Sequence, residues 1–304
     1  EMPREDYNIF MAMSQRIGQD SKGNSVFVLD GNGNSTGVLN HDLNEIADAY
    51  IDFLSGNEHQ KSEYIFTIKK SEVKDHININ PQHYSPKLNA ALDSVLAFDN
   101  KDNWATTTVG QLEAGIRIYI GPRWNSASIK VDNPTDTSNL VPYLTANAAL
   151  ELRRFTVKWL DARKANPQQR QCIDMLKIHE GDILISRSGT IGKVTYATKD
   201  LAENYIVSDD LVRIRVKDAN LRAYLLAYFT SSTALALMLL DEYGSVQQHL
   251  QPRHIQEMLI PVPDDWSLAQ DMIDAGNMFI KAMEDMSKAD RKIRTQGFDA
   301  LIAE

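Results

Sequence analysis

The 304-residue sequence predicts an α+β protein: a globular mixed α/β body followed by a long C-terminal coiled-coil-type helix. Three observations predict it. Short apolar runs with period-two alternation, bounded by Gly, Pro, Asn and Asp, recur along the chain and read as strands. Helical periodicities lie between them, such as Leu43, Ile46, Ala47, Tyr50, Ile51 and Leu54 on one face. At the end, Leu268, Met272, Ala275, Phe279, Ala282, Met286, Ala289 and Ile293 are spaced 4, 3, 4, 3, 4, 3 and 4, an a/d seam with charged residues outside it.

In order, Val26–Leu29 and Val38-Leu39 flank Asp30-Gly31-Asn32-Gly33-Asn34, which reads as a hairpin tip. The tip lacks the acidic ladder and terminal Glu of a calcium loop. Asp42 is placed to cap the helix that ends at Ser55-Gly56-Asn57. Tyr64–Ile68 reads as a strand, Pro81 and Pro86 keep the next passage extended, and Leu88 to Phe98 is helical. His76 and His83 read as loop histidines, having no Cys or second pair at metal spacing. Strand-like alternation is expected from Thr106 to Ile120, and Val141–Thr145 reads as a short buried strand. Tyr205–Val216 alternates so that Arg213 and Arg215 give one charged face, and Leu221 to Tyr243 reads as one apolar helix. Leu259-Ile260-Pro261-Val262-Pro263 reads as an edge strand, because proline donates nothing to a ladder.

The most informative stretch is Gly181 to Val194, strand–turn–strand around Arg187-Ser188-Gly189-Thr190 and Gly192-Lys193. Two readings stand: a backbone nest that holds a phosphate, or a hairpin corner whose glycines supply positive φ. A nucleotide phosphate loop is excluded by layout, since Gly189 lies only three residues before Gly192 and Val194 follows Lys193. Gly-x-Ser-x-Gly, His-Glu-x-x-His and a dinucleotide Gly-x-Gly-x-x-Gly before a helix are absent too. No catalytic constellation and no resident cofactor or metal is therefore expected.

The net charge of −9 is unevenly placed. Residues 111–199 carry 13 Lys+Arg against 8 Asp+Glu, whereas residues 1–110 carry 9 against 16 and residues 200–304 carry 10 against 17. A basic middle between acidic ends suits a local anion-binding face, or a patchy solvated surface. Within it, Arg123, Asn125, Arg153, Arg154 and Arg163 are the candidates for base or backbone contacts, since guanidinium reads guanine and amide reads adenine. Arg187, Ser188, Thr190 and Lys193 suit either DNA backbone contact or a turn scaffold. No run of about 18 apolar residues would span a membrane, and no signal-peptide layout opens the chain. The lone Cys172 fits a reducing cytoplasm.

Gly181 to Lys193, Ser208-Asp209-Asp210-Leu211-Val212-Arg213-Ile214 and Gly244–Leu250 with Ile260-Pro261-Val262-Pro263 resemble, in this order, the target recognition domain of type I restriction–modification specificity subunits. Ile79–Tyr84 and Gly121-Pro122-Arg123 resemble early segments of such domains, and the terminal heptad helix resembles their spacer helix. Residues 7–54 resemble the C-terminal tail of adenine-N6 DNA methyltransferases. The resemblance implies a methylase tail at 1–57, a recognition domain at 58–263 and a spacer or dimerisation helix at 264–304. It also implies double-stranded DNA and a methyltransferase domain or subunit as partners. S-adenosylmethionine would belong to that methyltransferase, because its Asn-Pro-Pro-Tyr/Phe motif and methyl-donor loop are not in these residues. The seam Met272, Ala275, Phe279, Ala282, Met286, Ala289 and Ile293 would form a homodimer or an intramolecular coiled coil. A full specificity subunit carries two recognition domains, whereas one is visible here. The competing expectation is an interaction module that docks methylase or restriction subunits without reading DNA.

Overall fold

A computed structural model of the chain describes residues 6–20, 22–58, 62–73, 79–112, 115–151, 157–239 and 249–296. The chain forms two compact units, Glu1–Ala91 and Leu92–Glu304.

In the first unit, β1 (Asn8–Ala12), a hairpin of β2 (Phe27–Leu29) and β3 (Ser35–Leu39), α1 (Leu43–Leu54) and β4 (Ile65–Lys69) lead into α2 (Pro86–Leu96), which carries the chain across the division. β1 and β4 pair antiparallel from Asn8↔Lys69 to Ala12↔Ile65, burying Met11, Phe66 and Ile68 with Tyr84. The Asp30 carboxylate accepts the N–H groups of Asn32 and Asn34 at 2.9 and 2.8 Å, so it closes the expected hairpin tip. Asp42 does not cap α1. Its carboxylate accepts the Ser14 hydroxyl at 2.6 Å and the Gln15 N–H at 2.7 Å, pinning the preceding segment.

The second unit begins with β5 (Trp104–Thr108) and β6 (Arg117–Ile120), then β7 (Lys130–Val131), β8 (Val141–Leu144), α3 (Ala146–Leu150), β9 (Val157–Leu160) and α4 (Pro167–Met175). It continues through β10 (Ile183–Ser186), β11 (Val194–Tyr196), α5 (Lys199–Asn204), β12 (Ile206–Val207) and β13 (Leu211–Arg215). It ends with α6 (Ala219–Phe229), α7 (Ser232–Met238), α8 (Pro252–Glu257), β14 (Leu259–Pro263) and α9 (Gln270–Gln296). Two four-stranded sheets, ordered β11-β10-β13-β6 and β12-β8-β9-β7, form the mixed α/β body. The second sheet is sandwiched: Leu144 and Val207 enter one core with Leu184 and Leu201, while their neighbours Tyr143 and Ile206 enter another with Leu160 and Leu176. That is the period-two alternation of a strand buried on both faces. The proline-rich β14 pairs only with β5, as an edge strand should.

Two expected elements divide. Thr106 to Ile120 is β5 and β6 in different sheets, because a 3-10 turn at Val109–Gln111 redirects the chain. The apolar helix expected from Leu221 breaks at Ser231, whose hydroxyl accepts the Ala234 N–H and caps α7; residues 240–243 lie outside those described.

The expected charged face of β13 is drawn into a hydrogen-bonded network. Arg213 is fully buried, its guanidinium donating to the carbonyls of Met175 and Val207 at 3.1 and 3.0 Å. Arg215 donates to both oxygens of fully buried Asp182, at 2.8 and 2.9 Å, and to the Tyr119 hydroxyl at 2.6 Å. Backbone carbonyls and one carboxylate thus supply hydrogen-bond partners to both guanidiniums, although the Arg213 Nε has none among the described residues.

α9 packs chiefly along α6. A Cβ on Gly276 would stand 2.0 Å from the Ala223 carbonyl oxygen, so glycine is what lets the two backbones touch. The packed ladder is Ile273, Gly276, Ile280, Met283 and Ser287, one residue, or about 100°, round the helix from the predicted seam. Met272, Ala275, Ala282, Met286, Ala289 and Ile293 are left exposed, with Phe279 half-buried.

Candidate nucleic-acid interface

The basic middle is built on the second sheet. β6 leads into Gly121-Pro122-Arg123-Trp124-Asn125, a loop whose Trp124 packs edge-on to Tyr143 of β8, with ring centroids 6.2 Å apart. β9 leads into a second loop, Asp161–Asn166, and then α4. Both loops sit on one core, in which Ile129 and Trp124 from the first meet Ala162 and Ala165 from the second around Leu160 and Ile173. Polar links fix them further. The Asp161 N–H donates to the Ile129 carbonyl at 2.8 Å, and the Gln169 side-chain amide donates to the Asn125 carbonyl and the Ser128 hydroxyl, both at 3.0 Å. Asn166 and Gln169 cap the start of α4 reciprocally, which holds Gln169 in place for that bridge.

Arg123, Asn125 and Arg163 are therefore carried by loops that share one anchor. Arg123 is exposed and makes no hydrogen bond to a described residue. The Asn125 side chain is exposed and accepts the Ala127 N–H at 2.9 Å, leaving its amide hydrogens outward. Arg163 is solvent-facing, yet Asp161 holds it in a fork, Nε to Oδ1 at 2.8 Å and Nη2 to Oδ2 at 3.0 Å. The hydrogen bonds from Arg163, with its positive charge, hold the Asp161 carboxyl below the usual carboxylate range. The fork leaves part of the guanidinium edge open and fixes its direction. Arg163 and Arg170 flank a shallow concavity of about 480 Å³ floored by Ala162 and Ile173. Lys158 of β9 lies 6.0 Å from the Tyr143 ring, on the same sheet. Lys158 and Arg170 were not singled out by sequence, where they look like ordinary scattered cations. Arg153 and Arg154 lie outside the described residues.

The hairpin of β10 and β11 sits apart from these loops in the chain and is a scaffold corner. Its register is Ile183↔Tyr196, Leu184↔Thr195 and Ile185↔Val194. The Ser186 hydroxyl accepts the Lys193 N–H at 2.9 Å and donates to the Thr190 carbonyl, and Gly189 and Gly192 adopt φ of +68° and +81°. Arg187 is buried and clasps Leu250, donating from Nε to its carbonyl at 3.2 Å while its own carbonyl accepts the Leu250 N–H at 3.0 Å. Ser188 is half-buried, and the Thr190 and Lys193 side chains are exposed at the turn.

An α/β body that presents guanidinium and amide groups on anchored loops suits an anionic partner. The chain belongs to the family of type I restriction modification DNA specificity domains, whose model matches residues 120–273, just over half of the chain. A specificity domain of this family recognises DNA sequence. No curated protein matches the chain in sequence. Among solved structures, the chain is similar to one described as the complex assembly and conformational transition of the type I R-M system, at 17% identity over 71% of this chain and 52% of that one, with a TM-score of 0.40. It is similar to the HsdS subunit from Thermoanaerobacter tengcongensis at 15% identity, over 71% and 49% of the two chains, with a TM-score of 0.39. It is also similar to the type IIG restriction endonuclease BpuSI at 12% identity, over 84% and 39%, with a TM-score of 0.43. The chain spans about half the length of the type I structures it matches.

Proposed function

We propose that this chain reads a DNA sequence and positions an adenine-N6 DNA methyltransferase upon it. The observation that supports this most directly is the family match over residues 120–273, which includes both loops of the candidate interface. Arg123, Asn125 and Arg163 are the proposed base or backbone contacts, with Arg153 and Arg154 alongside them in sequence. Lys193 and Thr190 are proposed as backbone contacts at the hairpin corner.

The finer parts of the reading rest on the sequence resemblance. Residues 1–57 would be the tail of a methyltransferase domain fused to the recognition domain at 58–263, and residues 264–304 its spacer helix. Methyl transfer, and with it S-adenosylmethionine, would belong to that methyltransferase. The exposed strip of Met272, Met286 and Ile293 on α9 supports a docking role beside DNA reading, toward a second copy or another helix of the same assembly. Function in the cytoplasm follows from the same reading. No described helix is long and apolar enough to cross a membrane.

The test is fluorescence anisotropy of the protein on a random-sequence duplex pool, followed by selection and sequencing of the retained DNA. Enrichment of a defined sequence is expected. Absence of binding even at low salt would sink the proposal, whereas loss of assembly without loss of binding on deleting 267–304 would confine α9 to docking.

A further inference from the structure

A second cationic cluster lies outside the loops of the candidate interface, on the sheet that carries the β10–β11 hairpin. Strand register places Arg117 of β6 directly opposite Arg215 of β13, and Tyr119 opposite Arg213. Asp182 lies just before β10, whose pairing Ile183↔Ile214 continues the first row as Asp182, Arg215, Arg117. Like charges directly opposite on paired strands repel. The carboxylate in that row is committed: Asp182 is fully buried and holds Arg215 with two hydrogen bonds. Arg117 is exposed, and among the described residues it makes no ion pair or hydrogen bond. Its guanidinium lies 4.7 Å from the Tyr119 ring centroid, with Arg215 and Arg213 at 5.5 and 5.9 Å. Three guanidiniums thus converge on one ring; the one carboxylate hydrogen-bonded to any of them is held by Arg215, and the outermost, Arg117, has no ion pair among the described residues.

We infer that Arg117, oriented by Tyr119 and Arg215, is a phosphate-binding position for the DNA backbone, separate from the loops that read bases. The inference rests on the DNA-reading function proposed above. A backbone phosphate would supply the countercharge that the cross-strand arginine pair lacks. Arg117 and Arg123 belong to the same strand and its following loop, six residues and at most about 20 Å apart along an extended chain. That is at most roughly six base-pair steps at 3.4 Å each, a separation that one duplex can span. Arg117 fixes the duplex in place without reading sequence, because a phosphate is common to every nucleotide.

The experiment compares the full chain with Arg117→Ala and Arg117→Lys, measuring affinity for the selected duplex and for an unrelated one as a function of salt. One lost phosphate contact should lower the slope of log K against log salt by about 0.9, and weaken binding about eightfold at 0.1 M salt, equally on both duplexes. Arg117→Lys should keep most of the slope. Thermal melting checks that each variant is folded, and Arg117→Gln serves if the alanine variant is not. Unchanged slope and affinity in folded Arg117→Ala, with the unsubstituted chain binding normally, overturn this site alone. A loss confined to the selected duplex would make Arg117 a base reader and overturn it as well. No binding by the unsubstituted chain overturns both this site and the proposed function.

Discussion

At the scale of single residues, Asp182 is a position to which the second unit should be sensitive. It is fully buried, accepts two hydrogen bonds from Arg215 and the His179 N–H at 3.0 Å, and stands beside the buried guanidinium of Arg213. Burial dominates the environment of that guanidinium and pushes its proton affinity down. Removing the carboxylate that holds Arg215 leaves charge stranded, so Asp182→Ala should cost about 3 kcal/mol of stability, read as a lower urea midpoint at unchanged slope. A variant as stable as the parent would mean that water reaches the arginines. The sequence showed Arg213 and Arg215 only as one charged face of a strand, with no sign of their partners. Alternation cannot show that carbonyls of Met175 and Val207 come round to satisfy a side chain. The turn glycines were legible, because Gly189 and Gly192 do adopt positive φ at the corner where a hairpin demands it.

At the scale of elements, α9 carries two offset ladders and the sequence showed the more apolar one. The helix rests on α6 through the other, because Gly276 permits backbone contact that a methionine or phenylalanine ladder would prevent. Gly276→Leu should therefore destabilise the protein by more than the roughly 1–3 kcal/mol usual for overpacking, since the obstacle is the Ala223 backbone rather than a side chain that can move. Met286→Gln on the open ladder should leave the melting temperature within about 1 °C and shift the sedimentation or gel-filtration behaviour of any assembly. If Met286→Gln melts early and Gly276→Leu does not, the two faces have been exchanged. The break before α7 was hidden for a related reason. Thr230-Ser231-Ser232-Thr233 puts four hydroxyl residues in the apolar run, yet helical periodicity runs through them and does not show which one caps the next helix.

At the scale of the whole molecule, a protein of net charge −9 is expected to bind a polyanion through a local surplus alone. Four phosphate contacts would make affinity fall about a hundredfold between 50 and 200 mM salt, and titrations at several salt concentrations would show it. A salt-independent affinity would assign binding to apolar contact instead. The charge segregation behind this was readable from the residue counts. The convergence of two loops 40 residues apart was not, because Gln169 bridges them through a backbone carbonyl and a hydroxyl. That bridge has a consequence for redesign. Gln169 grips the Asn125 carbonyl, which every amino acid possesses, and Arg123 is exposed with no hydrogen bond to a described residue, so this tie of the loop does not run through the side chain at 123. On the proposed function the loop would behave as a type-holder, in which the letter is exchangeable and the frame is not, and a changed target would become reachable by substitution at 123 with the fold left intact.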